Sequence, residues 1–389
     1  MYEKVEDKSS TFFLLYLCAT GFCLIKMKKF LSILFLLCFC PILTLAEGVL
    51  NDLNFEYGGG VDSWIDNTEF GGCEFQDDQT MASTRLMAEV GLSTLEDKNR
   101  LRHAFIVGGY ASLNLGDGGK FETAVPLAYY RLSRKGQREG NGVEFEMGAF
   151  KRSDLRRFPR MFFQDSILFY RPTVEGLMID LSRGNEKGSA FGFRQTYFTA
   201  WLDWTGHQEE NRRESFIAAW SGRYAWAGLY VSHYGSMIHF AKRKNHPEDG
   251  IRTNLLTYTS LGYDFAAHFS KVKELSIEAG YVQGAEENRE IDKWYWNGAF
   301  YAQVAAEYWR FRISNAVYAG KGQMRAYGNY GNALYWGDPV YRSSFYDRID
   351  AGINFVETEH VHLFLDMTFH LFKGGDLYPE QQLRCSFVF

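Results

Sequence analysis

The stretch Val361-His362-Leu363-Phe364-Leu365-Asp366-Met367-Thr368-Phe369-His370-Leu371 decides the fold. Val361, Leu363, Leu365, Met367, Phe369 and Leu371 alternate with His362, Phe364, Asp366, Thr368 and His370, so one set is wholly apolar and the other carries a carboxylate and two imidazoles. Successive side chains of a strand point to opposite faces. One face of this strand therefore meets something oily and the other meets water.

The pattern repeats along the chain. Leu86, Ala88, Val90 and Leu92 alternate with Arg85, Met87, Glu89 and Gly91; Val143, Phe145, Met147 and Ala149 with Glu144, Glu146 and Gly148; Leu383, Cys385, Phe387 and Phe389 with Gln382, Arg384 and Ser386. A soluble sandwich alternates too. Strand length separates the two: the segments run to about 10–14 residues against a soluble mode of about 5–6. Strands are expected at 49–60, 82–94, 101–114, 123–133, 142–151, 174–183, 191–204, 215–221, 226–239, 255–267, 275–286, 296–308, 309–319, 345–356, 360–372 and 381–389. The fold class is all-β: one transmembrane, antiparallel, up-and-down barrel of about sixteen strands, with fourteen to eighteen open because the boundaries at 215–239 and 308–310 are weak. Long connections fall at 61–81, 115–122, 152–173, 205–214, 240–254, 287–295, 320–344 and 373–380, and the alternate ones are mostly shorter, as expected of external loops and periplasmic turns.

Composition agrees. Aromatics make up 17% of the 389 residues, with 24 Tyr, 33 Phe and only 7 Pro, while the mean hydropathy of −0.28 is that of a soluble protein. An apolar exterior around a polar lumen reconciles the two. The net charge of −5 suggests no nucleic-acid partner. From Met27, MKKFLSILFLLCFCPILTLAEG has the basic start, the apolar run and the small-residue site of a secretory leader, with cleavage expected after Ala46 and Met27 as the true start. Residues 1–46 are then a removed signal region and 47–389 the barrel. The mature part keeps only Cys73 and Cys385, too few for a disulfide framework, and no Cys/His spacing suits a metal. No metal or cofactor is expected.

The end of the chain carries a family resemblance. Leu383, Cys385, Phe387 and Phe389 alternate up to a terminal aromatic, which resembles the last strand of outer-membrane β-barrels of Gram-negative bacteria, porins of sixteen-strand type included. The resemblance implies an outer-membrane location among lipid and lipopolysaccharide. It also implies that Phe387 and Phe389 signal to the barrel-assembly machinery, and it makes a homotrimer an expected state. In hydrocarbon an unpaired edge costs several kcal/mol, so the first and last strands should pair. Tyr129, Tyr130, Trp201, Trp204, Trp294, Trp296 and Trp309 fit interfacial girdles.

The inward face is charged, with Glu89, Glu144, Glu146, Asp180, Asp264, Glu278, Glu307, Asp350 and Asp366 against Arg85, Arg310, Arg312, Arg348 and Arg384. Such groups need water or cross-strand partners. Two readings stay open: a water-filled pore, or a ladder of ion pairs among residues such as Arg348, Asp350, Asp366 and Arg384 in a plugged barrel. The third external connection carries Arg152, Arg156, Arg157 and Arg160, then Asp165. In porins of this type that loop commonly enters the lumen, where charged rings set selectivity. The alternative is a surface loop on lipopolysaccharide phosphates. The expected function is passive diffusion of small polar or charged solutes, without enzymatic activity. A surface or adhesion barrel acting through 320–344 and 61–81 is one alternative. A rim hydrolase using Ser, His and an acid is another, but His362, Asp366 and His370 stand about 13 Å apart in sequence along one strand, too far to hydrogen-bond, and no Gly-x-Ser-x-Gly elbow occurs.

Overall fold

In the computed structural model, alternation becomes sixteen antiparallel strands: β1 Leu53–Thr68, β2 Gln79–Glu96, β3 Leu101–Asn114, β4 Phe121–Lys135, β5 Gly142–Lys151, β6 Thr173–Arg183, β7 Thr196–Gly206, β8 Ser215–Trp226, β9 Leu229–Phe240, β10 Arg252–Asp264, β11 Val272–Asn288, β12 Lys293–Tyr308, β13 Phe311–Gly320, β14 Phe345–Glu357, β15 Val361–Phe372 and β16 Leu377–Val388. The structure describes residues 53–389 except 97–99, 117–120, 137–140, 185–195, 208–213, 242–250, 270 and 290. The leader reading of residues 1–46 lies outside the described residues.

Each strand pairs with its sequence neighbours, and β1 closes on β16 from Gly60↔Val388 to Thr68↔Glu380. The seam runs on through Phe389, whose backbone N–H and C=O each bond Gly59 at 3.0 Å. The Phe389 ring occupies the space where a Cβ of residue 59 would stand, so any larger residue there must displace the ring. Both ambiguous junctions resolve as two-residue turns. At Ala227–Gly228 both residues have positive φ (51° and 87°), the conformation that matches strand twist in a tight hairpin. At Trp309–Arg310, Trp309 takes φ 55°. β1 runs eight residues further than the sequence indicated: Asp62, Trp64 and Asp66 continue inward while Val61, Ser63 and Ile65 continue outward, and Gly58–Gly60 lie mid-strand.

The outward face is greasy, with Leu86, Val90, Phe105, Val107, Phe300, Val304, Phe311 and Ile313 exposed to whatever surrounds the barrel. In water such a surface would be untenable; in a bilayer it is buried. Two expected girdle residues turn the other way. Tyr129 and Trp201 are each 4% exposed and face the lumen, because their neighbours Tyr130 and Leu202 hold the outward parity. Arg310 sits in its turn beside the Trp309 ring (5.3 Å), not on the inward face.

Sixteen strands enclose a channel unless something fills it. Here two external loops do: L3 (152–172), which carries the short helix α1 (Asp165–Tyr170), and L7 (321–344), which carries the one-turn helix α2 (Tyr327–Tyr330). Gln164 donates its N–H to Trp336 O (2.8 Å), and Asp338 donates to Arg160 O (2.9 Å), stitching the loops together. Met161, Phe162 and Phe163 of L3 and Leu334, Tyr335, Trp336, Val340 and Tyr341 of L7 are all at most 3% exposed. They pack against Trp201, Tyr234, Tyr258, Tyr301 and Tyr346 of the wall, so the apolar core lies inside the barrel.

Candidate functional site

The basic residues singled out in the third connection all enter the lumen, and most find carboxylates. Arg152 pairs with Asp203 and donates to Arg171 O and Thr173 O. Arg156 grips Asp180 with Nε and Nη2. Arg160 pairs with Asp165 at 2.6 Å and stands 3.7 Å from Glu380. Burial alone would lower the Arg160 guanidinium's pKa; Asp165 and Glu380 hold it above the usual range. Arg157 makes no ion pair among the described residues; burial lowers its pKa, and Asp165 opposes that while Arg384, Arg312 and Arg160 add to it. On the wall, Arg348 pairs with Asp350, Arg312 takes both oxygens of Asp366, and Arg384 takes both of Asp62. Of the four residues expected to pair among themselves only Arg348 and Asp350 do, within β14, whereas Asp366 and Arg384 find Arg312 and Asp62 on other strands.

Two loop carboxyls carry the cost of enclosure. Burial raises Asp154 although Lys151 and Arg131 oppose it, and burial raises Asp338 against His370 and Arg160. His370 is 1% exposed and fully engaged: Nε2 meets Glu380 at 2.8 Å and Nδ1 meets the Tyr346 hydroxyl at 2.7 Å. With both nitrogens engaged, it ties β15 to β14 and β16.

A different group of polar residues faces outward at the external rim. The strand registers align Trp204, Phe216, His239, Thr253, Glu287 and Trp294 in one row across β7 to β12. Phe216 stacks on Trp204 (5.6 Å) and His239 on Phe216 (5.1 Å). His239 Nδ1 lies 3.4 Å from Thr253 Oγ1, the outer limit of a hydrogen bond. Glu287, the next residue of the row, accepts from Arg289 Nε at 2.9 Å. Imidazole, hydroxyl and carboxylate thus stand side by side on the outward parity, flanked by aromatic rings, with Thr253 itself only 6% exposed and the Glu287 side chain 11%. Of the described histidines on the outward faces of strands, His103 lies near the periplasmic end of β3, His233 lies mid-strand on β9, and His239 alone stands at the external end. Sequence reading missed this row because its polar members, His239, Thr253 and Glu287, come from three strands. The available signal was parity: His239 and Thr253 fall on the apolar face, where polar groups are costly.

The closed, greasy-faced, loop-plugged sheet defines a β-barrel of the bacterial outer membrane. Residues 58–369 match the family described as lipid A 3'-O-deacylase-type. The chain belongs to that family. The expectation of a barrel without enzymatic activity is thereby corrected, since the family is named for an enzyme. No curated protein matches the chain. Solved structures similar to it include an anion-selective porin of Comamonas acidovorans (13% identity, TM-score 0.49, 87% of this chain and 100% of that one). Others are OmpTdeltaL8 of Vibrio cholerae (9%, 0.48, 87% and 100%) and OccK2 (OpdF) of Pseudomonas aeruginosa (11%, 0.46, 86% and 97%).

Proposed function

We propose that this barrel hydrolyses an acyl ester of lipid A in the outer leaflet, releasing the 3'-O-linked fatty acid. The observation that carries the reading is the family match, which runs from β1 into β15 and so covers nearly the whole wall. Geometry supports it. The substrate's acyl chains lie in the hydrocarbon outside the barrel, so reacting groups must face outward at the external rim, where His239, Thr253 and Glu287 stand. In this reading His239 takes a proton from the Thr253 hydroxyl or from water, the freed oxygen attacks the ester carbonyl, and the proton passes to the departing sugar oxygen; where Thr253 attacks, water deprotonated by His239 then cleaves the acyl-threonine, releasing the fatty acid and restoring the hydroxyl. The flanking Trp204, Phe216 and Trp294 seat acyl chains. The test is mass spectrometry of lipid A incubated with refolded protein in detergent. Loss of one acyl chain by the wild type, reduced about 10²–10⁴-fold in H239Q, is the expected result. An inert wild type refutes hydrolysis, and a fully active H239Q refutes the assignment of the base.

A second reading, passive diffusion of small polar or charged solutes, draws on L3: Arg156, Arg157 and Arg160 lie within the lumen against an acidic wall, as a selectivity element would. The aromatic contact between L3 and L7 obstructs the path, so conduction requires that contact to open. Planar-bilayer recording decides it: persistent open current that turns more cation-selective in R156A/R157A/R160A supports diffusion, and a sealed barrel removes it.

A further inference from the structure

L7 docks on the back of the outward row. Successive side chains of a strand point to opposite faces, so each residue of that row has inward neighbours on its own backbone. Phe240 follows His239, Arg252 precedes Thr253, Glu286 precedes Glu287 and Tyr295 follows Trp294. Each of these inward residues touches L7. Tyr330 of α2 meets Phe240 edge to face, with ring centroids 5.6 Å apart, and its hydroxyl accepts from Arg252 Nε at 3.1 Å. Glu286 is 7% exposed and accepts twice from L7, from the Tyr335 hydroxyl at 2.6 Å and from the Arg325 N–H at 2.8 Å. The Arg325 guanidinium lies over the Tyr295 ring at 4.3 Å.

Glu286 is the firmest of these holds. Tyr335 is fully buried, and its oxygen accepts the Ala326 N–H at 3.1 Å while its one proton goes to Glu286. Strand register carries the hold outward. Glu286 stands opposite Asn254 and Tyr295, Glu287 opposite Thr253, and Thr253 opposite His239. A shift of β11 at 286 therefore moves Glu287 against Thr253 with nothing between to absorb it. The His239–Thr253 contact of 3.4 Å is already at the limit of a hydrogen bond, so a small shift decides whether it forms.

We propose that Glu286 is a positioning residue through which L7 clamps the outward row: with the plug docked the row is held in its reacting arrangement, and with the plug released it is not. The inference rests on the row being the hydrolytic site. It makes the lumen a control surface for chemistry on the lipid side, because whatever undocks L7 lowers turnover outside the barrel.

Two measurements on refolded full-length variants test it. E286Q sets an amide against one of the two L7 donors, and Y335F deletes the other contact while keeping the ring. In lipid A deacylation each should lower kcat about tenfold or more per folded barrel, since small misplacements of reacting groups are costly. KM should stay within about twofold, because Trp204 and Phe216 are untouched. Hydrogen exchange needs no turnover: amides of 239–240, 252–253 and 286–287 should exchange about tenfold faster or more, with the seam at 62–66 unchanged. Wild-type kcat in both variants, a rise in KM alone, or wild-type exchange at 239–240 and 252–253 overturns the clamp. A wild-type chain that leaves lipid A intact ends the hydrolytic reading by itself, and exchange alone then decides whether L7 holds the row. Folding is checked by heat-modifiable gel mobility. Should E286Q and Y335F fail that check, Y330F replaces them, with a loss of about threefold in kcat expected and wild-type kcat and exchange overturning the proposal.

Discussion

Replacing Arg152 by Met should release L3 from the barrel wall. Arg152 and its partner Asp203 are 3% and 5% exposed at their side chains. The guanidinium donates to Arg171 O (2.7 Å) and Thr173 O (2.6 Å), closing the base of the loop, and stands 5.1 Å from the Trp336 ring of L7. Asp203 accepts the Glu175 N–H at 2.9 Å with its other oxygen. Removing the cation leaves a buried carboxylate without a counter-charge, a loss of about 3–5 kcal/mol, or roughly 10²–10⁴ in the docking equilibrium. The strand ladder is untouched, so the loss appears as local opening of L3. Trypsin reports that opening directly, because Arg156, Arg157 and Arg160 lie in the loop. With reclosing faster than cleavage, the rate tracks the open fraction and should rise by the same roughly 10²–10⁴. R152M/D203L removes both charges and should recover most of the protection, since no orphan remains. Cleavage of R152M less than about tenfold faster than wild type would falsify this account, and so would a double variant as labile as the single one.

Three further outcomes are expected. If Thr253 is the nucleophile, T253S should keep lipid A deacylation within about an order of magnitude while T253A abolishes it, and a fully active T253A would assign the attack to water. G59V places a branched side chain where the Phe389 ring closes the seam, so the heat-modifiable, folded fraction on gels should form more slowly than in wild type. G59V/F389A should recover part of that rate, and an unchanged G59V would remove the ring from the closure step. The buried Asp338 carboxyl is raised above its ordinary 3.8, so the docked loop favours the protonated form. Docking is then strongest at pH below 3.8 and weakens as pH rises toward the raised value. D338N keeps an oxygen for the Val340 N–H (3.3 Å), so its protection of L3 and L7 against exchange should stay flat where the wild type declines. Parallel curves would reject the assignment.

The wall was legible because a strand's two faces see two solvents. Leu363, Leu365 and Met367 needed lipid while Asp366 and His370 needed partners, which Arg312 of β13 and Glu380 of β16 supply. Boundaries failed where a turn offers no punctuation, as at Trp309–Arg310, or where glycines in 58–60 imitate one inside β1. The plug was half legible. A run of arginines announces a need for anions, but Asp180 and Asp203 come to the loop through the pairing of β6 with β7, and Glu380 on β16 only through closure of the ring.

The outward row follows the same logic with the sign reversed. An inward charge is expected and explains itself by pairing; a polar residue on the lipid parity pays for exposure to hydrocarbon and needs a reason to be there. Asn315 and Asp347 answer by bonding each other at 2.6 Å. His239 and Thr253 make only a 3.4 Å contact, a weak return for two polar groups in that position. The residue whose hydrogen bonding least repays its placement is the one to substitute first, which is why His239, and none of the better-paired lumenal residues, carries the test of chemistry.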